Sequence, residues 1–337
     1  MAPYKGAGPE FQFVVSALPH RAPITPISRN ACGEYTKVMN APEKLNQYDR
    51  EARAVGNIVH LEHFNVCIPD QRLATLFYVV ALGGTRDPYL FMGLENMWVN
   101  YGRTQVHLPS RAVPPRTEVL RGTVGFVVPS LAELKKRLEF AGAEMKRVVT
   151  EAKTRFSWQE KDGVIEATCP WGNRVRCHAP SPQFGNTELG LVYVEFDVPP
   201  GTADGIARFY KEVMRAPAKA EGGRATVGIG RNQFLYFTET TQPLPEYDNH
   251  HIQVYIADFG APYQWLKERD LITMETDADE WRFQWIVDPR DARKLFQIEH
   301  EVRSMKHRLF NRPLVNRNHG ITNMTYVAGH DAFRGTY

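Results

Sequence analysis

The sequence predicts an α+β fold built from four consecutive copies of one βαβββ unit, each roughly 60 residues long. Two observations lead to this prediction. Four segments alternate apolar and other residues with period two and then meet a turn-forming residue, which is typical of β-strands. Each segment is followed by a helical pattern and by shorter strand-like pieces. The four segments are HFNVCIPD from His63, TVGFVVPS from Thr123, YVEFDVPP from Tyr193 and HIQVYIAD from His251.

The elements of each unit follow in the same order. The first strand places its apolar residues on one face, as Phe64, Val66 and Ile68 do in the first unit. A helix follows, and three of the four helical patterns have a glycine near the end, where glycine commonly stops a helix. The helices are predicted to begin at Gln71, Ser130, Ala203 and Ala261. The closing strands are predicted in segments such as MWVNYG, TQVHLP, ATVGIG, QFLYFTE, WRFQWIVD and KLFQIEHEV.

These patterns divide the chain into an arm, four modules and a tail. Residues 1–56 are rich in Pro, Gly and Asn and predict an irregular N-terminal arm. The modules are assigned to residues 57–112, 117–182, 188–242 and 247–303. Residues 304–337 form a C-terminal tail that contains His307, His319 and His330. We expect the tail to dock on the surface or on a neighbouring subunit in preference to covering a site.

Composition excludes several classes of protein. The chain of 337 residues is 43% hydrophobic and 23% charged, which is typical of a soluble globular protein. A net charge of +3 is too small to indicate nucleic-acid binding. The sequence has no apolar run of membrane-spanning length, and its four scattered cysteines argue against a disulfide framework. We therefore expect a cytoplasmic protein without a nucleic-acid or membrane partner, and a homo-oligomer is compatible with the sequence.

The module order, the histidine at the head of two first strands and the run Ile298-Glu299-His300 in the last strand together resemble the vicinal oxygen chelate superfamily. That superfamily includes glyoxalase I, extradiol dioxygenases and bleomycin-resistance proteins, and the resemblance covers roughly residues 57–302. It implies that the modules pair into two U-shaped mixed β-sheet half-barrels flanked by helices. It also implies one metal, with ligands on the first and last strands of the paired modules.

Carried over residue by residue, the resemblance assigns metal ligands in the first and fourth modules. His63 and His251 take the first-strand positions, and Glu299 takes the last-strand position of the fourth module. His107 takes that position in the first module, as a fourth ligand or as a group behind the ligands. On this alignment Gln105 corresponds to Gln297. The second and third modules lack the set, so the ligands require the first module to pair with the fourth and the second with the third.

Other side chains on the same face are predicted to form the substrate pocket. Tyr255 either binds or protonates an oxygenated substrate or is a packed aromatic residue. His60 and His250 are expected behind the ligands or exposed, and His300 is expected on the opposite face. In the second half-barrel, Arg176 is expected to form a buried ion pair with Glu195 or Asp197, and a second ligand cavity without metal is the alternative. The predicted pocket residues are Asn65, Gln105, Gln253, Gln297 and Trp98.

The predicted ligands favour one function over two alternatives. Two histidines and one carboxylate leave open positions on a divalent ion, which suits Fe(II). The sequence therefore favours a mononuclear dioxygenase that uses O₂ on a small oxygenated aromatic or enolisable substrate chelated to the metal. A fourth ligand from His107 would favour a glyoxalase-like lyase or isomerase with Mn, Ni, Zn or Co. The second alternative is a metal-free small-molecule-binding protein of the same fold.

Overall fold

The computed structural model describes residues 51–89, 96–110, 112–148, 154–313, 322 and 324–327. The chain divides into two compact units, 1–49 and 50–337, and all described residues belong to the second. Most of the predicted N-terminal arm, His319 and His330 therefore lie outside the described residues. The end of the predicted arm includes a short 3₁₀ helix, Glu51–Arg53.

Sixteen strands are formed by the described residues. They are β1 (Ile58–Asn65), β2 (Thr85–Arg86), β3 (Asn96–Tyr101), β4 (Thr104–Pro109), β5 (Gly122–Val127), β6 (Ser157–Lys161), β7 (Val164–Thr168), β8 (Arg174–His178), β9 (Gly190–Val198), β10 (Ala218–Glu221), β11 (Arg224–Gly228), β12 (Phe234–Glu239), β13 (His251–Ile256), β14 (Ile272–Thr276), β15 (Glu280–Val287) and β16 (Lys294–Ser304).

The helices begin close to the four predicted positions. They are α1 (Gln71–Ala74), which continues as a π-helix over Thr75–Ala81, α2 (Leu131–Val148), α3 (Ala203–Arg208), which continues as a π-helix over Phe209–Val213, and α4 (Gly260–Lys267). A further 3₁₀ helix spans Pro182–Phe184. The Asp70 carboxylate accepts hydrogen bonds from the backbone amides of Arg72 and Leu73 in the first turn of α1, and this cap fixes where the helix starts. No helix among the described residues is long and apolar enough to cross a membrane.

The strands form two eight-stranded mixed sheets. The first has the order β14-β15-β16-β13-β1-β4-β3-β2, and the second has the order β10-β11-β12-β9-β5-β8-β7-β6. At the centre of the first sheet β1 pairs antiparallel with β13, so this sheet combines strands of the first and last units. At the centre of the second sheet β5 pairs antiparallel with β9. The predicted α+β fold of two half-barrel sheets is confirmed.

One continuous apolar core joins the inner faces of the two sheets. Phe64 on β1 meets Phe126 on β5 with ring centroids 6.4 Å apart, and Phe196 on β9 meets Phe296 on β16 at 5.7 Å. Burial of each such ring stabilises the fold by roughly 1.5–3 kcal/mol. Because side chains alternate between the faces of a strand, the polar residues of β1 and β13 lie mainly on the face that points away from this core. We call that surface the polar face of the first sheet.

The described part of the C-terminal tail packs against this polar face. Leu309 and Tyr326 form a buried apolar cluster with Tyr89 and Trp98, which belong to the β2–β3 region of the first sheet. Two further contacts are the Phe310 ring on Tyr255, with centroids 4.9 Å apart, and the ion pair of Arg312 with Asp87. These residues of the tail therefore dock on the surface of their own sheet, where their apolar side chains complete a cluster.

His300 lies on the core side of β16, as predicted, and gives a pH-dependent stability. Its ring stacks on Phe283 with centroids 4.3 Å apart, and the imidazole Nε2 accepts a hydrogen bond from the Tyr210 hydroxyl at 2.6 Å. Burial lowers the pKa of His300 from 6.5 to about 3. The unfolded chain therefore takes up this proton first, so stability is complete above pH 6.5 and decreases as the pH falls toward 3.

His300→Asn is therefore expected to flatten the acid dependence of stability. Between pH 6.5 and pH 5, the wild type loses about 2 kcal/mol of unfolding free energy through this residue, and the variant does not. At pH 7.5 the variant is less stable by about 1–3 kcal/mol, because Tyr210 loses its hydrogen-bond partner. Urea unfolding of both proteins at pH 7.5 and 5.0 measures this difference. Parallel pH dependences would contradict it.

Candidate metal centre

An irregularity in β1 brings two adjacent side chains to the polar face. Leu61 and Phe64 both lie in the core, although they are three residues apart, and the pairing of β1 with β13 shifts between Leu61 and His63. Such a bulge adds one residue to a strand and redirects the neighbouring side chains. Glu62 and His63 therefore lie close enough to contact each other, and Glu62 also pairs with Arg303 on β16.

Three histidines converge on this face. His63 on β1, His107 on β4 and His251 on β13 each offer a ring nitrogen, and these nitrogen atoms lie within 4.8 Å of one another. The His63 ring centroid is 5.7 Å from that of His107 and 5.9 Å from that of His251. Among the residues that the structure describes, this is the one group of three or more His, Cys, Asp or Glu side chains with ligand atoms so close.

His63 is fully buried and held in one tautomer. Its Nδ1–H donates to Glu62 Oε2 at 3.2 Å, and its Nε2 is buried without a hydrogen-bond partner. Burial lowers the pKa of His63, so the ring is neutral at pH 7. A neutral imidazole with a free, buried Nε2 lone pair is the form that binds a metal ion.

His251 has a carboxylate near each of its ring nitrogens. Its Nε2 is 3.3 Å from Glu301 Oε2 but makes no hydrogen bond there, and its Nδ1 is 3.7 Å from Glu299 Oε1. Glu299 is also held by Arg282 at 2.9 Å and by the Gln284 amide at 3.2 Å. Glu301 therefore lies on the Nε2 side of the ring, and Glu299 lies on the Nδ1 side.

Both nitrogens of His107 already have partners. Its Nδ1 accepts a hydrogen bond from Asn65 Nδ2 at 2.6 Å, and its Nε2–H donates to Asn96 Oδ1 at 2.7 Å. The ring stacks on Trp98 with centroids 3.8 Å apart. Burial places the pKa of His107 well below 6.5. His107 could bind a metal only if it gave up one of these hydrogen bonds.

An acidic network surrounds His63 and His251. Among the described residues, the guanidinium groups of Arg282 and Arg303 form the ion pairs of this network with four carboxylates. Two positive and four negative charges leave a formal excess of two negative charges. A divalent cation would balance that excess. The four carboxylates belong to Glu62, Glu280, Glu299 and Glu301.

Two of these carboxylates are buried and ionised. Burial raises the pKa of Glu62, but the hydrogen bond with His63 and the charge of Arg303 outweigh it and lower the pKa to about 2. Burial also raises the pKa of Glu301, but the charge of Arg303 and the contacts with His251 and Arg282 hold it well below 4.5. Both groups are therefore carboxylates at neutral pH.

The register of the sheet differs from the alignment made on the sequence. Gln105 on β4 lies opposite His63, and Glu299 on β16 lies opposite His251. Two residues further along each strand, His107 lies opposite Asn65 and Glu301 lies opposite Gln253. Across the centre of the sheet, Asn65 pairs with His251 and His63 with Gln253. A superposition of one half of the sheet on the other that places His63 on His251 therefore also places His107 on Glu301. The correspondence of Gln105 with Gln297 is wrong by two residues, since Gln105 corresponds to Glu299.

The predicted pocket residues have different surroundings. Trp98 and Asn65 contact His107, and Gln253 is fully buried with neither amide atom hydrogen-bonded. Gln105 instead donates to Asp87 at 2.7 Å. Gln297 donates to Gln284 at 3.2 Å. Gln253 is therefore the member of this set with polar atoms still available.

Tyr255, His60 and His250 lie outside the three-histidine group. The Tyr255 hydroxyl donates to Glu62 Oε1 at 3.1 Å, and burial raises its pKa well above 10. His60 hydrogen-bonds Gln233 at 3.0 Å. His250 is fully buried, not exposed, and its Nδ1 is 2.6 Å from Asp248 Oδ1. Tyr255 thus holds Glu62 in place behind His63.

The polar face of the second sheet contains an ion-paired cluster. Arg176 pairs with Glu195 at 3.1 Å, which confirms the expected partner, but its side chain is 40% exposed, so the pair is not buried as expected. Arg176 also pairs with Glu166 at 3.1 Å. The Tyr193 hydroxyl is 2.9 Å from His178 Nε2. No group that could hold a metal is found on this face among the described residues.

Sequence reasoning missed Glu62, Glu301, Arg282 and Arg303. Period-two alternation does place Glu299, Glu301 and Arg303 on one face of β16, so a signal for Glu301 was present. Glu62 had no such signal, because simple alternation assigns it to the face opposite His63. The bulge in β1 is what brings them together.

Solved structures share this fold at low sequence identity. One is a protein of Bacillus subtilis subsp. subtilis str. 168 assigned as a dioxygenase, with a TM-score of 0.52 and 14% identity over 80% of this chain and 90% of that chain. Another is glyoxalase I from Zea mays, with a TM-score of 0.52 and 13% identity over 73% of this chain and 92% of that chain. The sequence matches no family model and no curated protein. These similarities establish the fold.

Proposed function

We propose that this chain, which has the fold of the vicinal oxygen chelate superfamily, is a mononuclear Fe(II) dioxygenase. Its substrate would be a small oxygenated aromatic or enolisable compound that chelates the metal. The proposal rests on one observation: two buried imidazole Nε2 atoms, of His63 and His251, have no hydrogen-bond partner, and the Glu301 carboxylate lies 3.3 Å from that of His251.

His63, His251 and Glu301 are the ligands in this proposal. Glu301 replaces the sequence-based candidate Glu299, because its Oε2 is on the Nε2 side of His251. Each carboxylate oxygen has two lone pairs, so the ion pairs of Glu301 with Arg282 and Arg303 leave capacity for a metal. Two neutral imidazoles and one carboxylate match the ligand set of non-haem Fe(II) oxygenases. Bound there, the metal would hold substrate and O₂ together and offset charge on the substrate oxygens.

The hydrogen bonds of His107 favour the dioxygenase over a lyase or isomerase. A lyase or isomerase of this fold would use His107 as a fourth ligand. The observation in favour of that alternative is that a ring nitrogen of His107 lies within 4.8 Å of those of His63 and His251. However, Asn65 and Asn96 occupy both ring nitrogens. With three protein ligands, more positions on the metal stay open for substrate and O₂.

The chain's own residues orient the ligands and receive the substrate. Glu62 fixes His63 with its Nε2 toward the site, and Glu299 lies on the Nδ1 side of His251. The free amide of Gln253 can hydrogen-bond a substrate oxygen, since it is the cross-strand neighbour of both His63 and Glu301. Trp98 offers an aromatic wall beside His107 and His63. Part of the tail covers Trp98 and thereby limits the access of water.

Oxygen uptake tests this function. Anaerobically purified protein loaded with Fe(II) is mixed with catechols and enolisable diketones in an oxygen electrode, and His251→Ala is the inactive control. We expect uptake that depends on both protein and substrate and is lost in the variant. A parallel anaerobic assay with Ni(II) or Zn(II) follows the isomerisation of hemithioacetals. Turnover in that assay without O₂ consumption would refute the dioxygenase.

His107→Ala separates the two candidate functions. If the metal has three protein ligands, the variant keeps its metal. The dissociation constant of the metal then changes by less than about threefold, which is below the effect typical of residues that contact a metal ligand. With four ligands, metal affinity falls by about 100-fold or more. Titration of metal-free protein with Mn(II) under argon measures this constant. Trp98 loses its stacking partner in the variant, so thermal unfolding provides the check that the fold is intact.

Glu62→Gln is expected to weaken metal binding by about 10- to 100-fold. Glutamine removes the negative charge and can present an N–H to the ring, so it no longer enforces the Nδ1–H tautomer of His63. Glu280→Gln is the matched control, since Glu280 contacts Arg282 and Arg303 but is not hydrogen-bonded to any of the three histidines. Equal metal affinities of the two variants would show that Glu62 does not orient His63.

A further inference from the structure

A cavity lies beneath the C-terminal tail, and none of the three histidines lines it. Its volume is about 320 Å³. Leu309 and Arg312 of the tail form one side, and Glu62 and Tyr255 of the sheet form another. Glu62 contacts the His63 ring at Nδ1, whereas Nε2 is the atom that would face the proposed metal. The cavity therefore lies on the Nδ1 side of the ring.

The cavity contains a buried cation with an unused donor. Arg312 has a side chain that is only 3% exposed, and its Nη2 pairs with Asp87 Oδ2. Its Nη1 is buried without any hydrogen-bond partner. An unsatisfied donor on a charged group costs more free energy than one on a neutral group. The guanidinium therefore has a position for one more acceptor.

The charges around the cavity favour an anion. The Glu62 carboxylate already accepts from Tyr255, His63 and Arg303, and Asp87 accepts from Gln105 and Arg312. Arg103, which also lines the cavity, is exposed and makes no ion pair with any residue that the structure describes. The acidic groups are thus paired, whereas two guanidinium groups retain free donors.

We propose that this cavity binds a small organic carboxylate, with its anionic group on Arg312 Nη1 and Arg103. The rest of the ligand would lie against Leu309 and the ring of Tyr255, which gives an apolar wall for a flat body. The volume fits a small molecule, at the lower end of ligand pockets of about 300–1,000 Å³. This site does not depend on the proposed function. Its occupant would contact Glu62, the residue that orients His63.

Calorimetric titration with benzoate tests the site, with benzamide as the neutral analogue and inorganic phosphate as the other anion. We expect saturable benzoate binding and at least about tenfold weaker binding of benzamide, since a charge-assisted hydrogen bond is lost. Arg103→Ala is expected to weaken benzoate binding by about tenfold or more. Arg312→Lys, which retains the charge but loses Nη1, should weaken it similarly. Lys306→Ala, an exposed cation of the same tail, is the control and should leave affinity within about twofold.

The outcomes distinguish this cavity from the metal centre. His251→Ala should leave benzoate binding unchanged, so the cavity can be confirmed even if the metal proposal fails. Loss of binding in His251→Ala with retention in Arg103→Ala would mean that the anion binds at the metal, and would overturn the inference. Absence of saturable benzoate binding would overturn it as well. Binding of phosphate in place of benzoate would refute the carboxylate class.

Discussion

Glu301→Gln is expected to weaken metal binding by more than about 100-fold, whereas Glu299→Gln weakens it by about tenfold. The difference follows from their positions around His251. Glu301 lies at the Nε2 atom that would hold the metal, and its replacement removes a ligand. Glu299 lies at Nδ1, and the loss of such an orienting partner typically costs 10–100-fold in metal affinity.

Titration of the two metal-free variants with Mn(II) under argon measures both constants. The substitutions are matched, because each removes one carboxylate charge from the same strand and each carboxylate pairs with Arg282. Urea unfolding without metal checks that both variants fold. If Glu299→Gln lost the metal and Glu301→Gln retained it, the sequence-based assignment of Glu299 would stand and the assignment of Glu301 would fail.

Arg303→Met is expected to destabilise the metal-free protein by roughly 3–5 kcal/mol. Arg303 is buried and pairs with Glu62, Glu280 and Glu301. Its removal leaves buried carboxylates without their cation, and the pKa of Glu62 should rise because the charge of Arg303 helps to lower it. A divalent metal should restore part of the lost stability, since it binds the folded state and supplies positive charge.

Urea unfolding at pH 7.5, with and without Mn(II), measures this effect. Arg224→Met is the control, because Arg224 pairs with Glu195 on the polar face of the second sheet, away from the three histidines. Mn(II) should raise the free energy of unfolding of Arg224→Met by no more than it raises that of the wild type. A loss below about 1 kcal/mol in Arg303→Met would show that the acidic network does not need this cation.

The fold was predictable because its signals are local and repeated. Period-two alternation in four similar segments and a helical pattern after each of them identify the strands and helices. His63 and His251 could be selected because both begin such a segment, and the structure brings them to one face. The position of His300 on the core side followed from the same alternation.

The details that decide the site depend on long-range pairing. Glu299 and Glu301 lie on the same face of β16, so alternation alone cannot choose between them. The pairing of β13 with β16 and the bulge in β1 set which carboxylate lies at which nitrogen of His251. The tail could not be located either, because its contact with Trp98 joins residues more than two hundred positions apart.

The metal content of anaerobically purified protein tests the central claim most directly. Mass spectrometry on the wild type, His63→Ala and His251→Ala should give close to one divalent metal per wild-type chain, with iron expected, and almost none in either variant. Absence of metal from the wild type, or an equal content in all three proteins, would contradict a metal centre built on these two histidines.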